Sequence, residues 1–154
     1  MVNTIRFIFL MLVSLVITMP AWSCSDDDGK DEIVSYDRLP GDAKNFILTY
    51  YPGAQIAGVI MDKDHGRTTY EVSLYNGHEL EFDAEGQWTD VDAPYGQTVP
   101  AGIVPQAIAA YVADNYSVTG INEISRDNRG YEVELNTGVE LIFDRDGKFV
   151  RIDR

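Results

Sequence analysis

Residues 131–150 read YEVELNTGVELIFDRDGKFV, and residues 70–88 read YEVSLYNGHELEFDAEGQW, so the chain carries two similar copies of one stretch. The correspondence continues upstream, where residues 39–59 match residues 104–124 at an offset of 65 (104 − 39). From Tyr70 onward the offset is 61 (131 − 70), which leaves four extra residues in the first copy, near DKDHGRTT. Loops accept insertions readily, so we expect a loop there. Two copies are too few for a solenoid, and the repeat therefore predicts one domain with internal pseudo-symmetry.

Within each copy, apolar and charged residues alternate as in an antiparallel hairpin with one buried face. A three-residue loop keeps the apolar residues of both strands on the same face, and its glycine, Gly77 or Gly138, supplies the left-handed conformation that this loop requires. The predicted pairs are Leu74–His78, Val72–Leu80 and Tyr70–Phe82 in the first copy, and Leu135–Val139, Val133–Leu141 and Tyr131–Phe143 in the second. Further three-residue loops lead to third strands that carry Trp88 and Phe149.

A helix is predicted before each hairpin. The helical spacing of buried residues is met by Ala43, Phe46, Ile47 and Tyr50, and again by Ile108, Tyr111 and Val112. Pro40 and Pro105 suit the first turn of these helices. The predicted fold class is therefore α+β, with two tandem helix-plus-antiparallel-meander repeats, residues 38–92 and 103–154, forming one pseudo-symmetric domain.

The N-terminus has the features of a secretion signal. Arg6 precedes an apolar run from Phe7 to Met19, which is too short to span a bilayer and has the length of a signal-peptide core. We therefore predict a signal peptide over residues 1–23. The segment before Cys24, the only cysteine, resembles a bacterial lipobox, which predicts lipidation of Cys24; the alternative is an ordinary cleaved signal.

Residues 24–37 are predicted to form an acidic flexible tether. Its start, SDDD at residues 25–28, resembles the acidic tag that sends some lipoproteins to the outer face of the outer membrane; the alternative is a tether on a periplasm-facing lipoprotein. The expected location is the cell envelope, as an outer-membrane lipoprotein that is surface-exposed or faces the periplasm. Membrane contact is expected only through the lipid anchor.

The charge of the chain limits its partners. The formal net charge is −13, and removal of residues 1–23, which contain Arg6, makes it −14. Such a field repels phosphate backbones, so nucleic acid is not expected as a partner, whereas cations and basic proteins or peptides are.

The hairpin register places many acidic residues on the face opposite the helices. It sets Glu71 opposite Glu81 and Glu134 opposite Glu140, and each opposed pair of like charges typically costs about 0.2–1 kcal/mol. The candidate partner-binding residues are Glu71, Tyr75, Glu79, Glu81, Glu132, Glu134, Glu140 and Tyr95. Three interpretations remain open: a basic protein partner, Ca²⁺ held by this face or by Asp144 and Asp146 of the DRDG turn, or an ordinary solvated sheet face.

Catalytic motifs are missing from the sequence. His78 begins HELEF, which lacks the second histidine of a zinc-protease motif, and His65 lies in the extra segment. There is no GxSxG motif, and no thiol remains beyond Cys24. With 25 acidic residues, a pair of carboxylates has no diagnostic value for glycoside hydrolysis. We therefore expect a protein that is not an enzyme, and Ca²⁺ is the one cofactor we consider.

The order of these features resembles the PepSY-like family of secreted and periplasmic bacterial proteins. The matching features are a helix beginning at LP or VP, YPG at Tyr51–Gly53, then YEV, NG or TG, FD and a final DG hairpin, over roughly residues 37–154. That family is similar in fold to the tandem-repeat inhibitor protein of β-lactamase. The resemblance implies a binding or inhibitory module and carries no catalytic residue across. The same fold in small outer-membrane assembly lipoproteins implies a scaffold role as an alternative.

Overall fold

The computed structural model describes residues 31–116 and 119–153. The predicted signal peptide, Cys24 and the start of the predicted tether lie outside these described residues. Within the two described ranges, no helix is both long and apolar enough to cross a membrane.

Two α-helices lie against one continuous antiparallel sheet. The helices are α1 (Gly41–Tyr50) and α2 (Gln106–Asn115), and a short 3-10 helix spans Tyr36–Arg38. The strands are β1 (Glu32–Ile33), β2 (Ile56–Asp64), β3 (Arg67–Leu74), β4 (Glu79–Asp83), β5 (Trp88–Asp92), β6 (Ile121–Arg126), β7 (Gly130–Leu135), β8 (Glu140–Asp144) and β9 (Phe149–Asp153). They pair in chain order from β1 to β9, each antiparallel to the next. The predicted α+β class is confirmed.

Both helices cover the same face of the sheet and share one core. Phe46 of α1 packs against Phe82 of β4 with ring centroids 5.5 Å apart, and Tyr111 of α2 packs against Phe143 of β8 at 5.4 Å. The core continues without interruption across the β5–β6 junction, where Val91 and Ile124 pair and are both fully buried. The opposite face of the sheet has no helix against it among the described elements.

The predicted hairpin registers are confirmed. Val72 pairs with Leu80 and Val133 with Leu141, as the alternation of apolar residues required. Gly77 and Gly138 have φ angles of 89° and 77°, so each supplies the left-handed residue of its three-residue loop.

The sequence analysis missed β2 and β6, and each helix is therefore followed by four strands rather than three. Both strands contain a bulge, which lies between Ile56 and Gly58 in β2 and between Ile121 and Glu123 in β6. The bulge inserts one residue, so the core-facing residues flanking it are three positions apart instead of two. The period-two pattern that reveals a strand is lost at those points.

The four extra residues of the first copy lengthen a hairpin, and the predicted loop is wrong. Strands β2 and β3 stay paired as far as Asp64–Arg67, which leaves only His65 and Gly66 as the turn. Their φ angles of 48° and 79° are those of a two-residue hairpin turn, whose twist matches that of the strands.

The tether prediction is also wrong from Glu32 onward. Strand β1 pairs with β2, and the Val34 N–H donates to the Val59 carbonyl oxygen at 2.9 Å.

Pro40 and Pro105 stand immediately before their helices, at the N-cap position, rather than in the first turn.

Candidate functional site

A row of carboxylates crosses the uncovered face of the sheet. The row consists of Glu79, Asp92, Glu123, Glu134, Glu140 and Asp153, one from each strand β4 to β9, and each is the register partner of the next. Because neighbouring strands lie about 4.8 Å apart, the row is about 24 Å long. We call these six residues the acidic row.

A second, shorter group of acids lies beside the acidic row in the first half of the sheet. Glu71, Glu81 and Asp90 are register partners across β3, β4 and β5. In the second half the corresponding position of β7 is Glu132, whose register partners are Ser125 and Ile142. The negative charge is therefore denser in the first half, except along the acidic row itself.

The sequence analysis identified part of this face. The predicted oppositions of Glu71 with Glu81 and Glu134 with Glu140 are present in the register. It missed Asp92, Glu123 and Asp153, which complete the acidic row. Asp92 and Asp153 follow bulges in β5 and β9, and the position of Glu123 depends on β6, which the sequence analysis did not find.

Burial and nearby negative charge make two of these carboxyls, those of Glu79 and Glu81, hard to ionise. Burial, followed by the charge of Glu71, raises the pKa of Glu79 to about 7, and Asp92 adds to the effect. Burial also raises the pKa of Glu81, with further contributions from Glu71 and Asp62. Glu79 and Glu81 therefore keep their protons to a higher pH than the same side chains would in water.

Because its pKa is raised, the Glu79 carboxyl is expected to make the protein less stable at pH 8, where it is ionised, than at pH 5, where it is protonated. A carboxyl whose folded pKa lies above its unfolded value stabilises fully below about 4.5, and the stabilisation is lost as pH rises through about 7. Glu79→Gln should therefore raise the free energy of unfolding by about 1–2 kcal/mol at pH 8 and change it little at pH 5. The expected gain is smaller than the shift in pKa multiplied by ~1.4 kcal/mol per unit, because solvent screens the charge of a partly exposed carboxyl. Urea denaturation at the two pH values measures it.

Glu85→Gln is the matched control, since Glu85 is exposed in the β4–β5 turn. Burial lowers the pKa of His78, and that group destabilises the protein as pH falls below about 6.5. Comparing variant with wild type at each pH removes this opposing contribution. A Glu79→Gln effect of the same size at both pH values would contradict the prediction.

Both aromatic residues among the candidate partner-binding residues are exposed. Tyr75, in the β3–β4 turn, is 73% exposed, and Tyr95, in the connector between β5 and α2, is 98% exposed. The ring of Tyr95 therefore does not pack between the two halves. Trp88 is partly buried and packs against the core, with its ring 6.3 Å from that of Phe46.

Asp144 has a structural role in the β8–β9 turn. Its Oδ1 accepts the N–H groups of Asp146 and Lys148 at 3.0 and 2.9 Å, so this oxygen closes the turn. Asp83 does the same in the β4–β5 turn. Among the described residues, no group of three or more acidic, histidine or cysteine side chains is arranged to hold a metal ion. Calcium binding at Asp144 and Asp146 stays a prediction.

Two family models match the chain. Residues 68–151 match the family described as "Putative beta-lactamase-inhibitor-like, PepSY-like", and residues 40–92 match the "Peptidase propeptide and YPEB domain". A comparison with curated proteins finds no match.

Three solved structures of Bacteroides proteins are similar to this chain. A "putative periplasmic protein of unknown function" from Bacteroides vulgatus is 32% identical, with a TM-score of 0.78 over 81% of this chain and 100% of that one. A second periplasmic protein of that species is 38% identical, with a TM-score of 0.76 over 84% and 100%. A "putative calcium-regulated periplasmic protein" from Bacteroides thetaiotaomicron is 35% identical, with a TM-score of 0.77 over 80% and 97%. These likenesses support a location in the cell envelope.

Proposed function

Because this chain belongs to the PepSY-like, β-lactamase-inhibitor-like family, we propose that it is a non-catalytic binding module of the cell envelope. Its ligand is cationic, and it binds to the uncovered face of the sheet. The observation that carries this proposal is the acidic row, in which six carboxylates from six successive strands are register neighbours.

The energetics of the acidic row favour a cationic ligand. Like charges at directly opposed positions cost about 0.2–1 kcal/mol per pair, and the row contains five register pairs of acids. Arg151 offsets part of the charge at the β9 end, since its Nη1 lies 2.6 Å from Asp153 Oδ1. The pKa of Glu79 is raised first by burial, then by Glu71 beside the row, and last by the charge of Asp92, its partner in the row. Lysine or arginine side chains of a partner would offset the repulsion, and complementary charge would also speed the encounter.

A basic protein or peptide is the preferred ligand, since it can contact all 24 Å or so of the row. The exposed rings of Tyr75 and Tyr95 would then supply aromatic contacts of the kind that often dominate interfaces.

Calcium is the second candidate. Neighbouring strands are about 4.8 Å apart, roughly twice the calcium–oxygen distance of 2.3–2.6 Å, so the carboxylates of two register partners can reach one ion. The similar protein from Bacteroides thetaiotaomicron is named as calcium-regulated, which supports this candidate.

The cell-envelope role also includes the anchor proposed for Cys24. A lipid at Cys24 would hold the domain close to the outer membrane and leave the sheet face open to partners, as a scaffold lipoprotein requires.

We further propose that the two halves are pseudo-symmetric repeats. In that arrangement the first contributes Glu79 and Asp92 to the acidic row and the second contributes the other four members.

Neutralising the centre of the acidic row should weaken binding and strengthen the fold. Glu123→Gln/Glu134→Gln removes two neighbouring charges. We expect at least a tenfold loss of affinity for a decalysine probe at 0.05 M salt, with a shallower salt dependence, because two charge contacts are lost. We also expect a gain of about 0.5–2 kcal/mol in the free energy of unfolding. Isothermal titration calorimetry and urea denaturation measure the two effects.

The control, Glu85→Gln/Asp114→Asn, removes the same total charge from the β4–β5 turn and the exposed side of α2. It should leave both the affinity and the stability nearly unchanged. Equal weakening by the two double variants would mean that only net charge matters and would overturn the proposed site. Thermal unfolding with Ca²⁺, with Mg²⁺ and with chelator tests calcium, the second candidate ligand. A ligand that binds only the folded state raises the melting temperature of the protein, so a rise with Ca²⁺ that Mg²⁺ does not reproduce would support calcium.

A further inference from the structure

A cleft opens at the junction of the two halves, at one end of the sheet. Strands β5 and β6 pair only from Asp90–Ser125 to Asp92–Glu123, although β5 begins at Trp88 and β6 continues to Arg126. Where this pairing ends, the two strands, the β4–β5 and β6–β7 turns and Arg145 of the β8–β9 turn line an open cleft of about 410 Å³. This volume lies within the range of small-molecule sites.

Two arginines line this cleft in a strongly acidic protein. The Arg126 Nε donates to the Trp88 carbonyl oxygen at 2.7 Å, and its guanidinium lies 4.3 Å from the centre of the Trp88 ring. The Arg145 Nε donates to the Asn128 carbonyl oxygen. Both guanidiniums are thus held through Nε. Their paired Nη groups have the fork geometry that binds a carboxylate through two hydrogen bonds.

The carboxylates that line the cleft are already engaged by their own turns. Asp83 Oδ1 accepts the N–H groups of Glu85 and Gln87 at 3.1 and 2.8 Å. Asp127 Oδ2 lies 2.7 Å from the Arg129 guanidinium, which offsets its charge. The two cleft arginines are therefore the charges best placed to meet a ligand.

The hydroxyl group of Thr89, a lining residue of this cleft, has no hydrogen-bond partner among the described residues. Thr89 is the extra residue of the β5 bulge, because Trp88 pairs with Phe82 and Asp90 with Glu81. The bulge brings Thr89 to the lining of the cleft, and its Oγ1 is buried with no hydrogen-bond partner among the described residues. The oxygen is closed off from solvent, so a ligand hydroxyl reaches it only through a small shift of the β5 bulge. A buried polar atom without a partner costs free energy, which such a contact would recover.

We propose that this cleft binds a small carboxylate that also carries hydroxyl groups, with Arg126 and Arg145 holding the carboxylate and Thr89 and Asn128 meeting the hydroxyls. A sugar acid has this chemistry, either as a ring or as an open chain. This site is separate from the acidic row and takes a ligand of the opposite charge.

The test is calorimetric titration of the full chain in mild detergent with D-glucuronate and with D-gluconate. D-glucose, which lacks the carboxylate, and acetate, which lacks the hydroxyls, are the comparison probes. We expect one or both sugar acids to bind at least tenfold more tightly than glucose or acetate. Tighter binding of glucuronate assigns a ring acid and tighter binding of gluconate an open-chain acid. No binding of either acid at about 10 mM would overturn the proposal.

Variants separate the cleft from the rest of the surface. Arg145 is exposed, so Arg145→Gln should fold normally and weaken binding at least tenfold, whereas Arg145→Lys, which keeps the charge but loses the fork, should fall between it and wild type. Thr89→Val should weaken binding severalfold. Glu134→Gln, in the acidic row, should leave this affinity unchanged. Binding that is insensitive to Arg145→Gln would place the ligand elsewhere and contradict the assignment.

Discussion

Gly130→Ala is expected to lose about 3–5 kcal/mol of folding free energy, a large part of the 5–15 kcal/mol that a domain of this size has. Gly130 begins β7 with a φ of 151°, which side chains rarely adopt. A Cβ there would lie 2.1 Å from the Phe143 carbonyl oxygen and 2.8 Å from the Asp144 carbonyl carbon. Both are backbone atoms of β8, so relief would require separating paired strands. Urea denaturation followed by circular dichroism measures the loss.

Gly138→Ala is the matched control in the next turn of the same hairpin. Gly138 also has a positive φ, 77°, but a Cβ there meets nothing within 4 Å. Its substitution should cost only about 1 kcal/mol, the cost of the left-handed conformation alone. If both variants lost the same free energy, the close approach of β7 to β8 at Gly130 would not be the cause.

Phe82→Ala is expected to cost about 3–5 kcal/mol, the usual range for removing a fully buried aromatic ring. Phe82 is 0% exposed, contacts Phe46 edge-to-face at 5.5 Å, and is the register partner of both Tyr70 and Trp88. Helix α1 and three strands meet at this ring, so the cavity left behind cannot collapse easily. Chemical denaturation of the variant measures the effect.

Phe149→Ala is the comparison for Phe82, because Phe149 is partly buried on the edge strand β9. Its ring stacks on Tyr111 at 4.6 Å and has no strand beyond it. We expect a loss of about 1–2 kcal/mol, since part of the ring is already hydrated and its surroundings can relax. A loss as large as that of Phe82→Ala would show that the edge of the sheet is as tightly packed as its centre.

Local patterns predicted both helices and the two β-hairpins that follow them. The spacing of Ala43, Phe46 and Ile47 places three apolar side chains on one side of a helix, and this depends only on helical geometry. The hairpin registers required only alternation within one strand and a glycine at a fixed position in the loop, as at Gly138. These features lie within a few residues of each other along the chain.

Features that depend on bulges or on distant strands were missed. The bulge in β2 separates Ile56 from Val59 by three positions, which hides the strand from a period-two search. The short strand β1 exists because it pairs with β2, and its two residues carry no strand signal by themselves.

The sequence by itself determined the helices, the hairpins, the −13 charge and the acidic character of one sheet face, because each follows from composition or from residues close along the chain. Only the tertiary structure decided that the two halves join edge to edge through β5 and β6. That pairing aligns Asp92 with Glu123 and makes two separate groups of acids into one row. The end of the same pairing opens the cleft that brings Arg126 and Arg145 together. Both sites depend on the pairing of β5 with β6, which are separated along the chain by a segment that includes helix α2. Residue patterns within each strand do not specify the register between strands so far apart in sequence.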